Sequence, residues 1–340
     1  MRRTTDVSPR ALAAMAIATA LSAHSAPAAP QPEDLVVVQC FDVELAGDVA
    51  YLAQTAGLSV VDVSDPLEPE RVARVELPAS ILAIAVDRDR AYLAAGSLGM
   101  LIADLASLPD PRLFRRVDTP GSVHQVAVRD SVAFLADDIQ GLRIVDLAEE
   151  SRPKVLATIP TRSAVRRLSL DGQRLAIAEG SGGARVFDVS HPSAPRERAA
   201  VTSLDNVRDV ALDGDRLFVA AGNQGLRVFE IGYGPRPTEV AAIEPLSAAG
   251  GLVLGPGTVI VSNGTSGGQV VAWEEDSPPQ VVGTFRLPGS LPVGRGRLDG
   301  AGRLFVAADS GGLAVIDVGS PHSPRVLVPR ERKMKITQPD

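Results

Sequence analysis

The feature that most constrains this sequence is an internal repeat of about 42 residues. Seven glycines recur at intervals of 42 to 44 residues, namely Gly57, Gly99, Gly141, Gly183, Gly225, Gly268 and Gly312. Seven prolines follow them after 11 or 12 residues, namely Pro69, Pro111, Pro153, Pro195, Pro237, Pro279 and Pro324. A register sustained along the chain predicts one repeat architecture, although a length of 340 residues would otherwise suggest two domains.

Each repeat divides into four short apolar runs that are bounded by Gly, Pro and Asp. In the second repeat these runs cover 81–86, 91–94, 100–105 and 112–117. A further column precedes the glycines, namely Tyr51, Tyr92, Phe134, Ala176, Phe218, Ile260 and Phe305. Asp-Gly pairs at residues 171–172, 213–214 and 299–300 are typical of tight hairpin turns. The pattern predicts an all-β, seven-bladed β-propeller with four antiparallel strands per blade over residues 35–329, because the repeats of a β-solenoid are shorter.

The N-terminal residues 1–29 have the layout of a secretory signal peptide rather than of a blade. Arginines at positions 2, 3 and 10 accompany an apolar run over 11–23, and small residues follow with possible cleavage after Ala26, Ala28 or Ala29. The apolar run is too short for a permanent transmembrane helix. We therefore expect an exported protein, periplasmic or extracellular, with a short linker over 30–34 and a disordered tail over 330–340; a disordered N-terminal tail is the alternative to the signal.

Composition excludes several classes of function. The net charge is −7 and the pI about 5.3, so the basic footprint of a nucleic-acid-binding protein is missing. The single cysteine, Cys40, permits no intramolecular disulfide, and we expect it to be a small buried apolar residue. No nucleophile elbow, phosphate-binding loop or cluster of metal-type histidines is found in the sequence.

The segment Gly141-Leu142-Arg143-Ile144-Val145-Asp146 resembles the LVIVD repeat, a propeller repeat named for its apolar run ending in Asp. The resemblance extends over residues 35–328. It implies the propeller fold and an exported or surface protein, and it assigns no activity, since members of this family mostly lack a defined one. Blades five and six depart from the pattern, with Glu230 and Trp273 at the position of the Asp.

The repeated Asp invites a functional reading as a ring of carboxylates. The residues concerned are Asp62, Asp104, Asp146, Asp188 and Asp317. One acid at each turn between the third and fourth strands would keep these carboxylates apart. We predict instead that each accepts a backbone N–H bond within the following turn.

The four strands of each predicted blade are named A to D in chain order. Candidate binding residues lie on one face of the predicted disc, where the loops joining strand D to strand A of the next blade and strand B to strand C open around the central channel. The first positions of the strands A form the column Cys40, Leu82, His124, Arg166, Arg208 and Gly250, and the next positions form Phe41, Ala83, Gln125, Arg167, Asp209 and Gly251. Blade seven adds Arg295 and Arg297, and the B–C loops add Asp137, Asp138, Glu179, Asn223, Asn263 and Asp309. Blades three to five are therefore polar on this face, whereas blades one and two are apolar.

This asymmetry predicts that the arc of His124, Arg166 and Arg208 recognises an anionic group or an acidic loop of a partner, because guanidinium groups match carboxylates. Asp137, Asp138 and Glu179 complete the set of candidate residues. The alternative is that these side chains only form surface ion pairs, which contribute little.

Three functions remain open at this stage. The sequence favours a monomeric binding module that takes a protein or a glycan at the cell envelope and needs no cofactor, because no catalytic constellation is visible. An enzyme, a calcium-dependent hydrolase of the lactonase type, is the alternative; Asp137, Asp138, Glu179, Asn223 and Asn263 would supply its oxygen ligands. A structural spacer is the third, disfavoured because the sequence shows nothing else for it to hold apart.

Overall fold

The computed structural model describes residues 39–327, except 109, 110, 150, 233, 246, 274–277 and 311. In this part of the chain 28 strands form seven four-stranded antiparallel sheets, each made of four consecutive strands. The first strand of each sheet contacts the first strand of the next, and β25 contacts β1. The sheets are thus the seven blades of a closed β-propeller, as predicted. The expected signal peptide, linker and tail lie outside the described residues.

The first four blades have closely similar strands. Blade one holds β1 (Cys40–Ala46), β2 (Val49–Gln54), β3 (Gly57–Asp62) and β4 (Glu70–Glu76). Blade two holds β5 (Ala83–Asp87), β6 (Arg90–Ala94), β7 (Met100–Asp104) and β8 (Arg112–Val117). Blade three holds β9 (Gln125–Arg129), β10 (Val132–Ala136), β11 (Leu142–Asp146) and β12 (Lys154–Ile159). Blade four holds β13 (Arg167–Asp171), β14 (Arg174–Ala178), β15 (Ala184–Asp188) and β16 (Arg196–Val201).

The remaining three blades complete the ring. Blade five holds β17 (Asp209–Asp213), β18 (Arg216–Ala220), β19 (Leu226–Glu230) and β20 (Thr238–Ile243). Blade six holds β21 (Gly251–Gly255), β22 (Thr258–Ser262), β23 (Gly268–Ala272) and β24 (Gln280–Phe285). Blade seven holds β25 (Gly296–Leu298), β26 (Arg303–Ala307), β27 (Leu313–Asp317) and β28 (Arg325–Leu327), after a single 3-10 turn at Pro288–Ser290.

The ring closes between blades seven and one by the bridge used at other junctions. The B–C turn of one blade forms a β-bridge with a residue near the start of strand A of the next, as Asp138 does with Val165 and as Asp309 does with Cys40, the first residue of β1. At the closing junction Arg297 also donates to Oε2 of Glu44 at 2.7 Å. All described strands of blade seven come from the C-terminal end of the chain.

The core consists of apolar layers between neighbouring blades. Alternate residues of strands A to C face the two adjacent sheets, so Leu58 and Val60 of blade one pack with Ile84 and Leu93 of blade two. The column that begins with Tyr51 is buried in every blade, including Ala176 in blade four. A single blade could not bury both of its faces, which is why the stacking of the ring stabilises each sheet.

The repeated Asp has the structural role that the sequence predicted. The Oδ1 atom accepts a hydrogen bond from the backbone N–H two residues later, at 2.8 to 3.0 Å, in Asp62, Asp104, Asp146, Asp188 and Asp317. Each carboxylate therefore caps its own turn between strands C and D. These residues do not form a shared ring of acids.

The glycine column is correct in six blades and wrong by one residue in blade six. Ser262 pairs with Gly268 as Ala136 pairs with Leu142, so Gly267 is the equivalent of Gly141. Gly267 has a φ of 101°, and a Cβ atom there would lie 2.0 Å from the carbonyl oxygen of Phe285. The same close approach of strand D excludes a side chain at Gly141.

The blade-six shift also changes the residue that stands at the position of the repeated turn Asp. Ala272, which pairs with Thr258, occupies the position of the Asp, and the assignment of Trp273 there was wrong. Trp273 falls in the next column, where the other blades bury Val63, Leu105, Leu147, Val189, Ile231 and Val318. Its ring stacks against Phe218 with 4.8 Å between centroids, so it supports the junction of blades five and six.

Candidate functional site

The inner edge of each strand A would leave backbone N–H groups unpaired in the channel, and side chains of the preceding blade satisfy several of them. Gln125 accepts from the N–H of Leu168 at 3.0 Å, and Asp209 accepts from that of Leu252 at 3.0 Å. Asp42 accepts from the N–H of Ile84 at 3.2 Å. Because a buried unpaired N–H group is costly, these channel residues are explained by structure alone.

The columns at the start of strand A are displaced by one residue in blade one. Cys40 pairs with Asp309 as Val165 pairs with Asp138, so Cys40 belongs to a buried apolar column before the predicted one. The prediction that Cys40 shares a column with His124 was wrong, whereas the prediction that it is a buried apolar residue is confirmed. The pKa of the Cys40 thiol is raised to about 12, chiefly by burial, so the thiol is neutral.

With that correction the first column surrounds the channel mouth in three sectors. Its members are Phe41, Leu82, His124, Arg166, Arg208, Gly250 and Gly294. Blades one and two contribute apolar side chains, blades three to five contribute cationic or imidazole side chains, and blades six and seven contribute none. The second column, one step deeper, is Asp42, Ala83, Gln125, Arg167, Asp209, Gly251 and Arg295.

Asp138 joins two members of the predicted arc. Its Oδ1 atom lies 3.6 Å from Nε of Arg166 and 4.0 Å from Nε2 of His124. The pKa of His124 is lowered, chiefly by burial, with Arg166 acting in the same direction and Asp138 against it. His124 is therefore mostly neutral near pH 7, and the positive charge of this sector comes from arginine.

The two arginines of the arc are both accessible. The Arg166 side chain is 65% exposed, and its contact with Asp138 is longer than a normal hydrogen bond. Arg208 is exposed, and its side chain has no hydrogen bond or ion pair among the described residues. The structure thus brings His124, Asp138 and Arg166 together, with Arg208 following on the next blade.

Asp137 and Glu179 are placed differently from the prediction of a surface site. Both side chains are fully buried. Asp137 accepts from Oγ1 of Thr119 at 2.8 Å and from Nε of Arg143 at 3.2 Å, and Glu179 accepts from Nε of Arg185 at 2.6 Å. Each pair joins the end of strand B to strand C within one blade, so these two acids support the loops from below.

A spacing of six residues in the sequence signals these internal pairs. Asp137 precedes Arg143, Glu179 precedes Arg185, and Asn263 precedes Gln269, to which its Nδ2 donates at 3.1 Å. Residues six apart in this way face each other across the short B–C turn. The sequence analysis did not predict these internal pairs, although the six-residue spacing that signals them is present in the sequence.

Two of the predicted calcium ligands, Asp137 and Glu179, form internal ion pairs. The carboxylates of Asp137 and Glu179 are paired with the guanidinium groups of Arg143 and Arg185. Asn223 is an exposed residue of another turn. Calcium requires six to eight converging oxygen atoms. Within the described ranges no group of three or more His, Cys, Asp or Glu residues is arranged to hold a metal ion.

One residue near the arc was missed in the sequence analysis. Ile139 is 73% exposed at the tip of the B–C turn of blade three, beside Asp138. Five other blades carry Ser97, Ser181, Asn223, Thr265 and Ser310 at this position. An exposed large apolar side chain in a column of small polar ones could have been found by aligning the repeats.

Two neighbouring cavities of about 540 Å³ each open on this face. The mouth cavity lies over the channel at blades four to seven and one, and the second cavity lies between blades four and five. Arg167, Arg208 and Gly250 line both. A larger cavity of about 830 Å³ lies on the opposite face between blades four and five, with charges of both signs.

Comparisons with known proteins support the fold. The LVIVD-repeat family model matches residues 39–76 and 120–161, which confirms the predicted resemblance. No curated protein matches this chain. Among the described residues, no helix is long and apolar enough to cross a membrane.

Several solved structures share the fold of this chain at low sequence identity. A functionally unknown protein from Desulfotomaculum acetoxidans is 15% identical with a TM-score of 0.65, covering 81% of this chain and 96% of its own. A protein from Lactobacillus plantarum is 16% identical with a TM-score of 0.65, covering 73% and 85%. The WD40 repeats of RRP9 are 12% identical with a TM-score of 0.67, covering 80% and 88%. At this identity they establish the fold and transfer no function.

Proposed function

Since this chain is a seven-bladed propeller that carries LVIVD repeats, we propose that it is an exported binding module that docks an acidic segment of a partner protein on its D–A/B–C loop face. The docking surface consists of His124, Asp138, Ile139, Arg166 and Arg208 on blades three to five. Export is supported by the LVIVD repeats, which are typical of exported proteins, and by the signal-like residues 1–29.

The observation that carries this proposal is the combination of accessible arginines with an exposed apolar side chain. Arg208 has no side-chain partner among the described residues, and Arg166 has one loose contact. Arginine is enriched among interface hot spots. The exposed Ile139 side chain would be removed from water by a docked partner, which is favourable, whereas five other blades carry small polar residues at this turn position. A partner with carboxylates flanking an apolar residue would satisfy both.

Asp138 gives the surface its orientation. Its carboxylate lies between His124 and Arg166 and leaves Arg208 as the uncompensated charge of the arc. An acidic group of the partner is therefore attracted toward blade five rather than blade three. Mutual attraction of this kind accelerates association and weakens as the salt concentration rises.

A capture experiment with matched variants tests the proposal. Tagged protein beginning at Gln31 is incubated with envelope extract, in parallel with the double variant Arg166→Ala/Arg208→Ala and the single variant Ile139→Ser. The matched control is Arg174→Ala/Arg198→Ala, which removes two arginines that line the cavity on the opposite face. Circular dichroism confirms that each variant is folded.

We expect a partner that is captured by the wild type and the control, is lost by the double variant and is reduced by Ile139→Ser. Its binding should weaken as salt is added. If only the control variant lost the partner, the docking surface would lie on the opposite face, and the proposal would be contradicted. Binding that is unchanged by added salt and by the double variant would indicate an uncharged glycan and would contradict the proposal of an acidic segment.

A further inference from the structure

The mouth cavity owes its shape to missing side chains. In the first column around the channel, blades six and seven carry Gly250 and Gly294, where the preceding blades carry larger residues. Both glycines line the mouth cavity of about 540 Å³, a volume within the range of small-molecule sites. A gap in an otherwise filled column leaves space for a ligand between Arg208 and Phe41.

The charges that line this cavity are mostly positive. Arg167, Arg208 and Arg295 contribute guanidinium groups, and Asp309 contributes the single lining carboxylate of the described residues. Asp42 and Asp209 lie behind the lining, and their carboxylates accept hydrogen bonds from inner-edge N–H groups. The accessible charge of the cavity therefore favours an anion.

The two deeper arginines are poorly satisfied by the protein. Nη1 of Arg295 is buried and has no hydrogen-bond partner, although it lies 3.4 Å from Oδ2 of Asp42. Arg167 makes one side-chain hydrogen bond, from Nη1 to the carbonyl oxygen of Arg166. Burial and then the nearby Arg295 lower the pKa of Arg167 to about 10. Asp209 and Asp42 act against this decrease, so the two partly buried cations are partly compensated in charge. The N–H donors that the protein leaves without an acceptor are available to an anionic ligand.

The wall opposite Arg208 is apolar. Phe41, Pro292 and Val293 line it at the junction of blades one and seven. Phe41 and Pro292 are partly exposed toward the cavity, whereas Val293 is buried beneath them. A ligand that filled this space would contact arginine on one side and an aromatic ring on the other.

We propose that the mouth cavity binds a small carboxylate with an apolar body. The carboxylate accepts hydrogen bonds from Arg167, Arg208 and Arg295, and the body rests against Phe41 and Pro292. Guanidinium groups suit a carboxylate because their paired N–H donors match its two oxygens. This site goes beyond the docking of a protein partner, which uses Arg166 and Ile139, and the two share only Arg208.

Titration calorimetry with 3-phenylpropionate tests the proposal on the folded protein. Acetate and inorganic phosphate serve as anions without an apolar body, and 2-phenylethylamine serves as the cationic counterpart of the probe. We expect millimolar or tighter binding of 3-phenylpropionate, weaker binding of acetate and phosphate, and no binding of the amine. A rise in melting temperature with ligand concentration provides the second readout.

Two variants with different mechanisms locate the site. Arg295→Gln removes a guanidinium, and Gly250→Leu fills the cavity without changing any arginine. A Cβ atom at Gly250 would have no heavy atom closer than 3.7 Å, so this variant should fold even if Arg295→Gln does not. Gly232→Leu is the matched control, because Gly232 lines the opposite-face cavity and also has room for a side chain.

We expect both site variants to weaken binding by about tenfold or more, as expected for losing charge-assisted hydrogen bonds or the ligand's space, with Gly232→Leu unchanged. Arg166→Ala should also bind normally, which separates this site from the docking surface. The proposal is overturned if folded wild type fails to bind the probe at millimolar concentration, or if Gly250→Leu binds it as tightly as wild type. Equal binding of acetate or phosphate would also overturn it, because the apolar wall would then have no role.

Discussion

The backbone N–H of Leu168 donates a hydrogen bond to Oε1 of Gln125, a residue 43 positions earlier in the neighbouring blade. In the same manner, Asp42 accepts a hydrogen bond from the N–H of Ile84, and Asp209 accepts one from the N–H of Leu252. Polar residues in the channel thus satisfy the inner edges of the strands, which otherwise present unpaired donors. Polarity around a propeller channel is for this reason weak evidence of a catalytic site.

The first prediction follows from this contact. Gln125→Met keeps the side-chain volume and removes the acceptor, so the N–H of Leu168 is left buried and unsatisfied. We expect the free energy of unfolding in urea to fall by about 1–3 kcal/mol. Gln140→Met, at an exposed turn position, should change it by less than about 0.5 kcal/mol. Equal stability of the two variants would show that the inner-edge bond contributes nothing.

A second prediction concerns the glycine column. Gly141 has a φ of 89°, and a Cβ atom there would lie 2.2 Å from the carbonyl oxygen of Ile159. Gly141→Ala should therefore destabilise the protein by more than about 3 kcal/mol, through strain and displacement of strand D. Gly172→Ala also places alanine at positive φ, but in open space, and should cost about 1 kcal/mol. Thermal or urea denaturation that ranks the two in the opposite order would contradict the close-approach explanation.

A third prediction concerns pH. The lowered pKa of His124 means that the folded state resists its protonation, chiefly because the ring is partly buried. Its contribution to stability is therefore present above the usual histidine pKa of about 6.5 and is lost as the pH falls through the folded value. Between pH 7.5 and about 5 the wild type should lose more stability than His124→Asn. Parallel pH profiles of the two proteins would show that the ring is not desolvated.

The fourth prediction addresses the calcium-dependent hydrolase. Arg143 and Arg185 already donate hydrogen bonds to the carboxylates of Asp137 and Glu179. Chelation with EDTA should therefore leave the melting temperature unchanged within about 1 °C. Differential scanning fluorimetry measures this directly. A fall of several degrees that added calcium reverses would support the hydrolase and would require a different arrangement of these side chains.

The sequence by itself determined the number of blades, the four strands in each, and the turn role of the repeated Asp. These features depend on local periodicity and on contacts two residues apart, such as that of Asp146 with the N–H of Ala148, and both are written along the chain. The LVIVD resemblance rested on the same short segments.

Tertiary structure decided the register of blades one and six and the fate of each candidate side chain. Which of the adjacent glycines Gly267 and Gly268 belongs to the column is decided only by the strand pairing, in which Ser262 lies opposite Gly268. Whether an acid is exposed depends on the strand beside it, so Asp138 lies on the loop face while the adjacent Asp137 is buried against Arg143. The mouth cavity likewise arises only when the ring closes and brings Phe41 of blade one opposite Arg208 of blade five, because contacts between blades far apart in sequence leave no periodic trace.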